Sequence, residues 1–203
     1  YFRSKEEVFE ALADAGALRG RVTAPQPLAR IQALVNTVEL PDGPARLADP
    51  VDATQWLVAH GLLSKGARVA GADLDMLRQV REALRALLIH NAGGPAPSSE
   101  AITTLRAMAA GGAARTEVDA DGQVRLLAVG DSIAERLVEL LLAIRDAQCD
   151  GTWQRLKACA NDECTWAFYD RSRNRGGTWC DMAECGNKLK NREFRARRRA
   201  ARA

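Results

Sequence analysis

Four cysteines near one end of the chain, Cys159, Cys164, Cys180 and Cys185, are separated by spacers of 4, 15 and 4 residues. Two close thiol pairs joined by a short loop suit a tetrahedral metal ion that takes four sulfurs. Zinc is the natural occupant, because it is redox-inert and thiolate satisfies its charge and geometry. Two disulfides are an alternative, but the chain holds an odd total of 5 cysteines and does not open on a basic-then-apolar segment. An iron–sulfur cluster also takes four thiolates, though its familiar spacings differ. The fifth cysteine, Cys149, is expected to be a buried bystander.

Downstream of the cysteines the chemistry changes from sulfur to charge. Projected as one helix, residues 181–202 align Lys188, Arg192, Arg195, Arg199 and Arg202 in a basic stripe, with Asn191 and Arg198 beside it. Met182, Cys185, Leu189, Ala196 and Ala200 fall on the other face, expected to point toward metal and core. Glu193 is the single acid after Lys188, so the stripe repels itself unless something neutralises it. Phosphates would do so, releasing counterions. The loop from Asp170 to Gly177 adds Arg171, Arg173 and Arg175. Residues 151–203 hold 13 Lys/Arg against 6 Asp/Glu, or +7, whereas residues 1–150 carry −4. The whole-chain value of +3 hides this asymmetry, which points to a separate contact with a polyanion.

The elements that must position these residues are mostly helical. Ser4-x-x-Glu7 is a capping-box pattern opening a first helix. Leu28, Ile31, Leu34, Val35 and Val38 follow as one helical face, and Pro41-Asp42-Gly43-Pro44 is a turn. Asp52 is expected to cap a short helix carrying Trp56. Asp73 opens a longer one with Leu74, Leu77, Val80, Leu84, Leu87 and Leu88 inward. Another helix spans residues 99–110. Asp121-Gly122 closes a hairpin between 115–118 and 123–129. Asp131 or Ser132 then caps a helix running to about Gln148. Short strands at 153–158 and 165–169 flank the first cysteine pair. The expected fold is therefore mainly α: a helical N-terminal domain with one β-hairpin, then a small zinc-bound β-hairpin plus helix module. Such a module of about 50 residues is too small to be stable by burial alone, so metal binding would be part of its folding. Trp153, Trp166, Phe168, Trp179 and Phe194 are expected to supply its core.

The body offers little other chemistry. His60 and His90 stand 30 residues apart with no metal-ligand spacing; both read as helix C-terminal residues favoured by the dipole. There is no phosphate loop, nucleophile elbow or His-Glu-x-x-His, so nothing points to an enzyme. No apolar run approaches the ~20 residues of a membrane span. A cytoplasmic location is the expectation.

The motifs Cys159-Ala-Asn-Asp-Glu-Cys164, Phe168-Tyr-Asp-Arg-Ser-Arg-Asn174 and Trp179-Cys-Asp-Met-Ala-Glu-Cys-Gly-Asn187 resemble the CGNR zinc-finger family of bacterial transcription regulators. The name-giving arginine is replaced here by Lys188, which keeps the charge but loses the planar fork. Upstream, Leu34-Val-Asn-Thr37 and Trp56-Leu-x5-Leu62 resemble early motifs of the ABATE domain that precedes this finger. The resemblance implies three parts: an N-terminal helical extension (1–26), an ABATE-like regulatory domain (27–150) and a zinc finger (151–203). It implies a DNA-binding regulator with one structural zinc on Cys159, Cys164, Cys180 and Cys185.

On that reading Asn187, Lys188, Asn191, Arg192, Arg195 and Arg199 are the candidates for DNA contact, with Arg171, Arg173 and Arg175 on phosphates. Asn187 and Asn191 could read a base edge. A small-molecule effector of the body follows from architecture alone, with Trp56 as the guess for a pocket wall. A homodimer would suit paired half-sites, although no coiled-coil heptad supports one. The competing reading is an RNA-binding or protein-interaction module, which exposed aromatics would favour.

Overall fold

The computed structural model describes residues 22–38, 45–164 and 166–200, except the side chains of residues 193, 195–197, 199 and 200. The helix expected at Ser4, the turn at 41–44 and Arg202 lie outside the described residues. Among those described, six α-helices and two small antiparallel hairpins make a mainly α architecture.

Helix α1 (Leu28–Val35) is short and buried almost all round, which marks it as the centre of the body. Helix α2 (Pro50–Ala59) is capped by Asp49, whose carboxylate accepts from Val51 N and Asp52 N. The expected cap, Asp52, is instead in the first turn. Pro50 decides this, because its fixed φ and missing N–H suit the first helical position and make the residue before it the cap. Helix α3 (Gly71–Asn91) is the long spine. Leu74, Leu77, Val80, Leu84 and Leu88 form its buried stripe, with Leu87 half-buried beside it. Helix α4 (Ser99–Ala110) starts on Ser98, whose Oγ accepts from Ala101 N, and buries only Met108.

Strands β1 (Ala113–Val118) and β2 (Val124–Val129) pair antiparallel in a ribbon. Helix α5 (Ile133–Asp150) opens with a Ser132–Glu135 capping box and stops at Gly151, whose φ of 76° is the left-handed conformation a helix end favours in glycine.

A 3₁₀ turn (Trp153–Arg155) leads to strand β3 (Leu156–Ala158), which pairs with β4 (Ala167–Tyr169). Thr165, expected in that second strand, lies outside the described residues. A π-turn (Met182–Gly186) then feeds helix α6 (Asn187–Ala200).

One hydrophobic core joins the helical body to the β3–β4 hairpin. Leu28, Ile31, Leu34, Leu57, Leu77, Leu84, Leu137 and Leu140 belong to the same buried cluster as Trp153, Leu156, Ala158, Ala167 and Tyr169. The expected separate aromatic core after residue 151 is thus only partly present. Trp153, Trp166 and Phe168 are buried, but Phe194 is 56% exposed. Strands of three residues cannot enclose a core of their own, so they complete one made by the helices.

Candidate metal centre and basic surface

The β3–β4 hairpin carries the first thiol pair on its connection. Cys159 follows β3 and Cys164 lies just before β4; Cys159 N donates to Trp166 O at 2.9 Å and Cys164 N to Asn161 O at 2.8 Å. Cys180 precedes the π-turn and Cys185 lies within it. All four sulfurs fall within 4.8 Å of one another. Cys164 Sγ is 3.7 Å from Cys180 Sγ, which is 3.8 Å from Cys185 Sγ. Disulfides require about 2.05 Å, whereas a tetrahedral ion with bonds near 2.3 Å separates its sulfurs by about 3.8 Å. All five cysteines are free thiols.

The electrostatics favour a cation. Hydrogen bonds from Cys159 and Cys180 pull the Cys164 thiol far down. In return Cys164 pushes Cys159 up to about 11, and Cys159 and Cys164 push Cys180 up. Four sulfurs this close cannot all carry charge without a counter-ion, and a divalent ion that displaces their protons would supply it. Asn161, itself buried, points Nδ2 at Cys185 Sγ at 3.7 Å. The buried Arg85 guanidinium on α3 is pressed down by desolvation, while Glu82 and the Cys164 charge act to hold it up.

Gly186, beside the last cysteine, lies close under Met182 and Trp179. A Cβ there would sit 2.3 Å from Met182 Sδ and 3.2 Å from the Trp179 ring. The π-turn also corrects the helical projection. Regular α-helix starts at Asn187 rather than Asp181, so Met182 is out of phase with Leu189 and is 53% exposed instead of facing the core.

The arginine loop is held by charges that its sequence does not advertise. Lys157 and Asp170 form a buried ion pair at 2.9 Å. Lys157 Nζ also donates to the carbonyls of Arg175 and Gly177, and Asp170 accepts from Ser172 N (2.9 Å) and Gly177 N (2.8 Å). Burial alone would raise the Asp170 carboxyl, but the Lys157 ammonium and those amides hold it well below the usual carboxylate range. A Cβ on Gly177 would lie 2.7 Å from Asp170 Cγ, so the backbone must approach as glycine. Arg155 Nη1 donates to the carbonyls of Asp170 and Ser172, both at 3.0 Å. Lys157 and Arg155 therefore belong to the scaffold of the loop rather than to its basic surface.

Arg171, Arg173, Arg175, Asn187, Lys188, Asn191 and Arg192 are all exposed. Arg192 lies 3.5 Å from the exposed Glu163 of the first cysteine loop. Lys190 sits over the Trp179 ring at 5.4 Å. The side chains of Arg195 and Arg199 lie outside the described residues.

A family model named ABATE, described as "putative stress-induced transcription regulator", matches residues 28–147, more than half of the chain. The chain belongs to the ABATE family. A second model, the CGNR zinc finger, matches residues 155–198. No curated protein matches the chain. The finger family and the sulfur geometry together fit one structural zinc ion.

The ABATE motif Leu34-Val-Asn-Thr37 acquires a physical meaning. Leu34 and Val35 are core. Asn36 Nδ2 donates to Ala167 O at 2.9 Å, and Ala167 N donates to Asn36 Oδ1 at 2.8 Å. The side-chain amide thus pairs β4 as a neighbouring strand would. Gln32 adds a bond to the same carbonyl (3.2 Å) and holds Ala24 N and Val22 O. Thr37 Oγ1 closes the helix end on Leu34 O. From the opposite side Asn91, at the end of α3, donates to the carbonyls of Trp153 and Leu156, both at 3.0 Å. Sequence reading missed these amides. The signal was two asparagines at helix ends, where their backbone-like side chains are free to bond outward.

The remaining candidates separate clearly. His60 caps the end of α2 but is buried, stacked on Trp56 at 3.9 Å, with Nδ1 bonded to Trp56 O. Desolvation lowers its pKa, opposed in part by the bond to Trp56 O. His90 is exposed, with Nδ1 3.4 Å from Gly94 O. A groove of about 420 Å³ between α3 and α4 is lined by Arg78, Glu82, Ser98 and Glu100. Trp56 does not line it. Cys149 is exposed, not buried; it falls on the outer side of α5, whose inward stripe is Leu137, Leu140, Ala143, Ile144 and Ala147. No helix among the described residues is long and apolar enough to cross a membrane.

Proposed function

We propose that this ABATE-family chain is a DNA-binding transcription regulator whose C-terminal segment depends on one zinc ion held by Cys159, Cys164, Cys180 and Cys185. The observation that carries this reading is the exposure of two basic segments that flank the second cysteine pair in the chain. They comprise the loop residues Arg171, Arg173 and Arg175 and the helix residues Asn187, Lys188, Asn191 and Arg192. Lys157 is neutralised inside by Asp170, so the outward charge is concentrated where a phosphate backbone could meet it. Arg195 and Arg199 extend the same helix in sequence. Asn187 and Asn191 are the base-reading candidates, and Lys188 acts as a point charge. Burial of Trp153, Trp166 and Phe168 removes three stacking platforms, which supports backbone contact over single-strand recognition.

The test uses DNA selected by the full chain from a random library, titrated across a salt series. Arg192→Ala should weaken binding by ~1–3 kcal/mol if it meets a base, and Arg173→Ala should flatten the salt slope by about 0.9 per lost phosphate contact. Unchanged affinity and slope in both variants would remove this surface from the function. Less than one zinc per purified chain would remove the metal from it.

A further inference from the structure

The β1–β2 ribbon is exposed along its first strand: all six residues of β1 are open to solvent. Val118, Val124, Leu127 and Val129 are 39–69% exposed. A two-stranded ribbon is marginal alone, and an open edge strand is a template for pairing with another chain. The direction of that edge follows from the register. Asp119 N donates to Gln123 O, so positions 119 and 123 form a hydrogen-bonded pair. Counting back by twos, Glu117–Arg125, Arg115–Leu127 and Ala113–Val129 are also hydrogen-bonded pairs. Ala114, Thr116 and Val118 therefore aim their N–H and C=O groups away from β2.

The charges on β1 are complementary to themselves. Arg115 and Glu117 flank Thr116 symmetrically. In an antiparallel pairing of two β1 strands about Thr116, each Arg115 stands opposite the Glu117 of the other copy. Those are non-hydrogen-bonded positions, where facing side chains come closest. Ala114 then faces Val118. The outer edge of β2 has no such match, because residues 124–129 contain Arg125 and no acid.

We infer that β1 is a self-association edge: it pairs antiparallel with β1 of a second copy of this chain, Thr116 to Thr116, giving a four-stranded sheet ordered β2–β1–β1–β2. The inference does not rest on DNA binding. A six-residue edge is small beside the ~800 Å² per partner of a stable interface, so the dimer is weak and concentration-dependent.

The test is sedimentation equilibrium of the zinc-loaded full chain from about 1 μM to about 1 mM, the range that reads such affinities. The parent chain should pass from monomer to dimer, and Thr116→Pro, which removes an outward N–H, should stay monomeric. E117R and R115E each oppose like charges across the axis and should weaken self-association about tenfold. Mixing these two variants should restore a dimer of one of each, which a merely misfolded ribbon would not do. Unchanged circular dichroism and zinc content in each variant check the fold. A monomer at every concentration overturns the inference, as does a mixture no tighter than its parts. A dimer that appears only after residues 1–21 are deleted also overturns it, because that segment would then be the occupant of the edge.

Discussion

The two hairpins of this protein contrast in every physical respect. The β1–β2 ribbon has six-residue strands, a tight turn and mostly exposed side chains. The β3–β4 hairpin has three-residue strands, no tight turn, and all six residues buried. The first is specified locally: Asp119 Oδ1 accepts from Asp121 N and Gln123 N, and Gly122 takes φ 76°. The second is specified from outside. Asn36 and Gln32 pair with one edge, Asn91 holds the approach to β3, Lys157–Asp170 ties its far end, and the thiol cluster closes its connection. Ladder length is thus a poor guide to which hairpin matters to stability. What counts is how much surface is buried and how many polar groups would be orphaned if the hairpin left.

That contrast can be broken in graded steps. Zinc removal is the most severe. Chelation, or Cys185→Ala, should abolish hydrogen-exchange protection at residues 156–169 while residues 113–129 keep theirs. Structural zinc contributes ~10–16 kcal/mol in isolated fingers, more than any single contact here. Equal loss in both hairpins would mean that the two are one cooperative unit.

Asp170→Asn should come next, at about 3–5 kcal/mol in denaturant titrations at neutral pH, because it leaves Lys157 buried without its counter-charge. The pH dependence has a definite sign. The folded carboxyl titrates below its unfolded value of about 3.9. Its stabilisation is therefore complete above that value and is lost as pH falls through the lower folded value. The variant should show a shallower loss of stability below about pH 4 than the parent.

Asn36→Ala removes both bonds to Ala167. It should cost ~1–3 kcal/mol, the penalty of leaving the buried Ala167 N–H unpaired while Gln32 still bonds Ala167 O, with hydrogen exchange quickening first at residues 166–169. Smallest of all, Leu127→Thr on the exposed ribbon should change stability by no more than about 0.5 kcal/mol. A large loss there would show that the ribbon is covered in solution, which would sharpen the case for a second copy on it.

Much of this was legible in the chain itself. The body helices follow the apolar spacing of Leu74 to Leu88 and the Ser132–Glu135 box. The β1–β2 turn follows from Asp121-Gly122. The thiol spacing carried the metal, and the motifs around it carried the finger family. Other residues were opaque because their roles depend on partners far away in sequence. Lys157 reads as one more basic residue until Asp170 is seen 2.9 Å away in the interior. Cys149 is a different case: the phase of its own helix, set by Leu137, Leu140 and Ile144, already turns it outward, against the expectation of burial. Met182 reads as core until the π-turn resets the helix, and Phe194 reads as core until α6 is seen to leave it exposed.

Local sequence therefore determined what short-range physics can determine: helix phase, caps, one tight turn and a set of four sulfurs. Tertiary structure alone decided where the finger's hairpin would be anchored. Its strands are too short to be stable in isolation, and the amides that pair with it lie 131 residues away at the C-terminal cap of α1 and 62–65 residues away at the end of α3. A side-chain amide can replace a strand only when packing has already brought its helix alongside, and no pattern in either segment encodes that meeting.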